Sequence, residues 1–356
     1  MNQAQRLLNN LQPANFEGDI GGRRIGLFEL TNNTGMRVFI TNYGARLVSV
    51  QVPDKDKRPT DVVAGFDSLE GYLQAPELYY GAIIGRYSNR IANGLFPLGG
   101  KTHEVTVNNG TNTLHGGKKG FHSVVWDIAR ADTTELEARY FSGNMEEGFP
   151  GNLLVKVTYM LTDDNCLKIS FEAKADKYTI INLSNHAFFN LNGEGSGTIL
   201  NHQVQIKADN YTPVGNNLIP TGEIDTVANT PFDFRSAATI GSRINDHNVQ
   251  LKSGGGYDHN FVLNKHAWRT PVARVKGDIS GIIMEIFTDQ PGLQFYTGNF
   301  MQGKNTLKCG QKDDYRTAFA LDTQRFPDAP NQPSFPSAEL KPGQLYKTTT
   351  CYKFSS

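Results

Sequence analysis

The sequence predicts an all-β protein, a sandwich or a barrel, with few and short helices. Three observations predict it: apolar and polar residues alternate with period 2 in many segments, strand follows strand without intervening helices, and turn formers are frequent. The 356 residues include Gly 36 and Pro 16, with 10% aromatics, which suits a turn-rich β chain.

Each element follows from its pattern. "RLVSVQVPD" (46–54), "HEVTVNNG" (103–110), "HQVQIKADN" (202–210) and "LYKTTTCYKF" (345–354) alternate as half-buried strands do. "LLVKVTYML" (153–161) sets Val155, Val157 and Tyr159 against Lys156 and Thr158. "LKISFEAKAD" (167–176) sets Leu167, Ile169, Phe171, Ala173 and Ala175 on one face. The "TDDN" between them is turn chemistry, so the two form a hairpin. Helical patterns are confined to 5–11, near 67–74 and near 236–245. No fixed-period repeat and no low-complexity linker breaks the chain. It reads as one domain, 1–356, with 1–14 as an N-terminal helical extension.

Bulk properties narrow the function. Lysine plus arginine number 35 and aspartate plus glutamate 35, a formal net charge of +0, with no basic patch or charge run. Nucleic acid and anionic membrane are therefore poor partners. No apolar run is long enough to span a bilayer, and the first residues hold no apolar leader. Cys166, Cys309 and Cys351 are far apart and form no metal or disulfide pattern. Buried thiols in a reducing, cytoplasmic setting are the expectation. The histidines lack metal-ligand spacing, and no Walker A or dinucleotide fingerprint occurs. Asp163-Asp164 and Asp313-Asp314 read as solvated turn pairs, with a structural Ca²⁺ site as the alternative.

Polar residues among apolar strands supply the candidate site. "GRYSNRIANG" clusters Arg86, Asn89 and Arg90; "NTLHGGKKGFH" sets His115 before a Gly-Gly turn; "SNHAFFNL" carries His186. "GYDHNFVL" leads from glycines into Asp258, "QPGLQFYTGNF" places Gln294 between aromatics, and "FALDTQRFPDAPN" delivers Asp322 from an apolar strand to a proline-rich loop. Carboxylates, amides, a guanidinium and aromatics are what a neutral polyol needs, planar groups for hydroxyls and ring faces for C–H patches.

In these motifs, and nearly end to end from "ITNYGARLVSVQVPD" to "FPSAELKPGQLYKTTTCYKF", the chain resembles the aldose 1-epimerase family, the galactose-mutarotase type. The resemblance implies a single large antiparallel β-sandwich with an open concave face for the sugar. It implies an isomerase that interconverts the α- and β-anomers of aldohexoses such as D-glucose and D-galactose. It maps the family's site onto Asn89, Arg90, His115, His186, Asp258, Gln294 and Asp322. At Asp322 the sequence departs, because the family usually has glutamate there.

The chemistry requires one base near O1 and one acid near O5, and no cofactor. His186 is the expected acid and Asp322 the expected base, with pKa values near the unperturbed 6.5 and 4. His115 would assist the acid and bind the sugar. Asn89, Arg90, Asp258 and Gln294 would hold hydroxyls, and Phe300 or Tyr296 would stack on the ring. The expected partner is a small aldose, and the expected state a monomer or weak dimer. A non-catalytic sugar-binding module and a hexose-6-phosphate 1-epimerase are the alternatives; the second would ask Arg86 and Arg90 to hold a phosphate.

Overall fold

The computed structural model describes residues 11–356. Residues 5–10 of the predicted helix 5–11 and most of the 1–14 extension lie outside them.

The alternating segments become antiparallel sheets. The largest has nine strands, in the order Asp127–Ala131, Glu135–Ser142, Leu153–Leu161, Cys166–Ala175, Leu345–Ser355, Ile283–Thr288, Ala273–Lys276, Gln203–Ile206 and Ala238–Thr239. The predicted hairpin is its centre, with Leu153 opposite Ala175 and Leu161 opposite Leu167. Leu167, Ile169, Phe171, Ala173 and Ala175 are all buried, as period 2 requires.

A six-stranded sheet runs Phe188–Phe189, Phe319–Gln324, Gly292–Tyr296, Asp258–Val262, Asn210–Thr212, Asp225–Thr226. A four-stranded sheet runs Leu27–Thr31, Arg37–Thr41, Arg46–Pro53, Pro59–Asp61. Their apolar faces share one core: Ile169 and Tyr352 from the large sheet, Phe295 and Leu321 from the second, Val38 and Val50 from the third. The all-β expectation holds. Burying these side chains stabilises the fold by roughly 1.5–3 kcal/mol each before entropy is counted.

Three local expectations are corrected. The predicted strand 202–210 divides, because the chain passes from the large sheet at Gln203–Ile206 to the second at Asn210–Thr212. The predicted strand 103–110 ends at Glu104, the last residue paired with Leu95–Leu98. Residues 236–245 form a short strand, Ala238–Thr239, and a 3₁₀ turn, Ile240–Ser242, rather than a helix. The helix there comes later, at Val249–Gly254, where Asn248 accepts the Gln250 N–H at 2.8 Å and Gly255 ends it at φ 64°. The helix near 67–74 forms as Leu69–Gln74, capped by Ser68.

The cysteine expectation is also corrected. Cys166 and Cys351 form a disulfide, and Cys309 alone is a free thiol. The strands Cys166–Ala175 and Leu345–Ser355 are neighbours, which brings together two cysteines 185 residues apart. No spacing rule shows such a pair in advance. Asp313 is likewise no solvated turn residue. It is buried and accepts from Tyr80 Oη at 3.0 Å and from the Asn305 backbone at 2.7 Å. Asp163 accepts from Asn33, and Asp164 pairs with Lys353. Among the described residues no group of three His, Cys, Asp or Glu side chains is arranged to hold a metal ion. No described helix is long and apolar enough to cross a membrane.

Candidate active site

The second sheet has one face on the core and one on a cleft. Along Phe319–Gln324, Phe319 and Leu321 enter the core, so period 2 turns Asp322 to the opposite face. Leu293 and Phe295 do the same for the next strand and turn Gln294 and Tyr296 outward. The register sets Asn260 opposite Gln294, and Gln294 opposite Asp322. Three polar side chains thus stand in a row across three strands. Gln324 donates to Asn260 Oδ1 and Gln294 Oε1, both at 3.3 Å, and Gln294 Nε2 donates to Asp258 Oδ1 at 2.7 Å.

This placement corrects one expectation. Asp322 is held in mid-strand by ladder pairing, not by the proline-rich loop. Gln294 is also mid-strand, while Asp258 opens its strand. A strand with one buried face would carry no such buried polar residue in its middle; here the second face is the cleft.

The other wall comes from loops. The backbone of His186 is fixed by exchange with the 81–82 segment: Gly81 N–H donates to its carbonyl, and its own N–H donates to Ala82, both at 2.9 Å. His115 and Asn89 bond reciprocally. Asn89 N–H donates to His115 Nδ1 at 3.2 Å, and His115 N–H donates to the Asn89 carbonyl at 3.0 Å. His115 Nδ1 is therefore an acceptor, which leaves the ring proton of the neutral imidazole on Nε2. Asn89 at φ 66° and His115 at φ 52° are both left-handed, a strained conformation that recurs at functional sites. Gly116, at φ 86°, explains the Gly-Gly requirement, because a Cβ there would lie 1.9 Å from the Gly85 carbonyl oxygen. The 105–110 stretch that left the sheet braces this loop, with Asn108 Nδ2 donating to the carbonyls of Leu114 and Gly117.

One cleft brings together every expected residue: Asn89, Arg90, His115, His186, Asp258, Gln294 and Asp322, with Tyr296 and Phe300. All but Tyr296 and Phe300 are buried; Phe300 is 53% exposed, and its ring stacks on Tyr296. The cleft encloses a volume of about 100 Å³. Glu77, Tyr79, Leu114 and Phe188 also line it and were missed. Leu114 and Phe188 lie in the motifs of His115 and His186 as apolar neighbours of the polar residue, and for Glu77 and Tyr79 only the aromatic pair Tyr79-Tyr80 offered a signal. Tyr79 lies against His115 at 4.6 Å and His186 at 6.1 Å between ring centroids. Arg86 is not in the cleft. Its guanidinium donates to Ser142 and to the carbonyls of Pro150 and Gly151.

At the centre, His186 Nε2 lies 3.5 Å from Asp322 Oδ2. Asp322 Oδ1 and His186 Nδ1 are buried with no hydrogen-bond partner. Such atoms in a native interior call for an explanation, and a ligand supplies one. Burial, and then the charge of Asp258, hold the Asp322 carboxyl well above the ordinary carboxylate range. Burial lowers His186 to about 4. The expectation of ordinary values near 6.5 and 4 is corrected for both. Burial also lowers His115, helped by the nearby His186 and Arg90, and raises Asp258, opposed by Arg90.

A sequence model of aldose 1-epimerases matches residues 26–353. The chain belongs to the aldose 1-epimerase family. It is similar to the galactose mutarotase of Bos taurus, with 44% identity over 94% of this chain and 96% of that one. It is similar to the aldose 1-epimerase of Escherichia coli strain K12, with 38% identity over 94% and 96%. Among solved structures, an aldose epimerase homologue from C. elegans superposes with TM-score 0.84 at 30% identity, covering 93% of this chain and 99% of that one. Galactose 1-epimerase from Lactobacillus acidophilus gives 0.83 at 28%, covering 95% and 96%. The aldose 1-epimerase match spans the three sheets and every cleft residue named above.

Proposed function

We propose that the chain acts as one aldose 1-epimerase domain, taking D-galactose, D-glucose and related aldohexoses without a cofactor. The supporting observation is the His186–Asp322 pair, 3.5 Å apart on the cleft wall with an unpartnered atom on each side chain.

The pair works with one proton. With the proton on His186, Asp322 is the carboxylate that takes the hydrogen of the C1 hydroxyl. His186 then gives its proton to O5 and the ring opens. The pair is left as a carboxylic acid and a neutral imidazole, the form that burial favours. Rotation about C1–C2 presents the other carbonyl face. Asp322 returns its proton to O1, His186 recovers one from O5, and closure gives the other anomer. His115, its Nδ1 held by Asn89, offers Nε2–H to the sugar at the same end. Arg90, Asn89, Asp258 and Gln294 hold hydroxyls, and Phe300 offers a ring face at the mouth.

Charge favours a neutral sugar over a phosphorylated one. Arg90 is the cleft's arginine, against the carboxyls Glu77, Asp258 and Asp322. Arg86, the other candidate for a phosphate, is committed to Ser142 and backbone carbonyls. Mutarotation of a hexose 6-phosphate should show kcat/KM about 100-fold or more below that of the free hexose, since like charges in a site cost several kcal/mol. Polarimetry on both sugars measures the ratio; equal values would contradict the charge argument, and a higher value for the phosphate would support the phosphate-specific reading.

Asp258→Asn should raise KM about 10- to 100-fold while kcat changes less, because the group orients hydroxyls and moves no proton. Loss of turnover with KM unchanged would make Asp258 the base.

A further inference from the structure

Glu77 is a cleft residue to which the acid–base mechanism gives no part. The helix Leu69–Gln74 ends at Ala75, and Pro76 leads into the segment 77–80. Buried Arg46 fixes that segment by donating to the carbonyls of Leu78 at 2.8 Å and Tyr80 at 2.9 Å. Tyr79 N–H donates to Glu77 Oε1 at 3.1 Å, and the Leu78 backbone also lowers the carboxyl's pKa, so the turn draws on this carboxylate. Arg46, whose charge acts on Glu77, is itself committed to carbonyls, including that of His122, and Asp313 nearby has like sign. Burial pushes the Glu77 carboxyl up to about 7. A half-buried carboxylate whose neighbouring guanidinium is committed elsewhere gains from a further donor. A polyol in the cleft carries such donors on every hydroxyl.

We infer that Glu77 is a substrate-binding residue, the carboxylate oxygen not used by the Tyr79 turn accepting a hydroxyl hydrogen bond from the bound aldose. This rests on the aldose reading of the cleft and adds a recognition group from the 77–80 segment, on the wall where Tyr79 packs against His115 and His186. The competing role is local, an acceptor for the turn alone.

Glu77→Gln separates the two. Its amide oxygen keeps the Tyr79 bond, and its NH₂ takes the place of the accepting oxygen. Mutarotation kinetics on D-galactose and its 2-, 3-, 4- and 6-deoxy analogues, with Asp322→Asn prepared in parallel, form the test. The expected result is a 10- to 100-fold lower kcat/KM for E77Q on galactose, carried by KM. On one deoxy sugar, wild type and E77Q should be equal, because the hydroxyl that Glu77 holds is missing. Wild-type kcat/KM for E77Q on every sugar, or the same penalty on every deoxy analogue, overturns the inference. If D322N is inactive in that case, the aldose reading stands and Glu77 alone is wrong. If D322N also matches wild type, the reading of the cleft falls with it.

Discussion

Asp322→Asn should lower kcat by about 100- to 10,000-fold, the usual span for losing a general base. Asparagine keeps the shape and the strand pairing with Gln294 but has no basic oxygen. Asp322→Glu asks a second question. Aspartate sets its oxygens roughly 1–1.5 Å further back than glutamate would, by bond-length geometry. A displacement of that size can cost about 100-fold. A loop could advance to restore the reach, but Asp322 sits in mid-strand, with Gln294 opposite it and Ala320 of the same strand opposite Phe188. The backbone is therefore not free to adjust. Glutamate should project deeper into the cleft and keep or raise kcat, whereas D322N stays inactive. Initial mutarotation rates, corrected for the spontaneous reaction, decide it. A D322N rate equal to wild type would place the base elsewhere or leave a protein that only binds sugar.

His186→Asn should lower kcat over the same 100- to 10,000-fold span. The ring also packs on Phe188 and His115, so a thermal melt beside the kinetics distinguishes a lost acid from a lost fold. Wild-type pH dependence tests the same pair. An ordinary imidazole would titrate near 6.5. Burial lowers His186 to about 4, so the pair accepts a second proton only toward that pH. Asp322 is raised, so the single proton leaves well above the usual carboxylate range. The sign follows: kcat/KM shows no acid limb near pH 6.5, falls on the acid side toward about 4, and falls on the alkaline side as the Asp322 proton is lost. An acid limb centred near 6.5 would contradict the one-proton pair.

The sheet-forming segments were legible because one face of each strand enters a shared core, and period 2 records that in the order of residues. The hairpin through 162–165 is the clearest case. The seven residues that meet in the cleft were legible too, as polar breaks in apolar strands and through the family motifs that contain them. Four things were not. The 202–210 segment shows alternation throughout, yet its two halves pair with different sheets, and pairing partners are distant in sequence. Asp322 looked like a strand end because a sheet with a cleft on its second face places polar residues in mid-strand. The pKa values of His186 and Asp322 depend on burial, which the order of residues does not state. Glu77 stayed hidden for a related reason: an ordinary loop carboxylate becomes a cleft residue only when Arg46 fixes the backbone beneath it.

The most direct measurement is the optical rotation of freshly dissolved α-D-galactose with and without the wild-type protein at neutral pH. The account predicts an initial rate above the spontaneous one, proportional to protein concentration, ending at the same equilibrium rotation and needing no added metal or cofactor. A rate no faster than buffer alone, with sugar still bound, would contradict it.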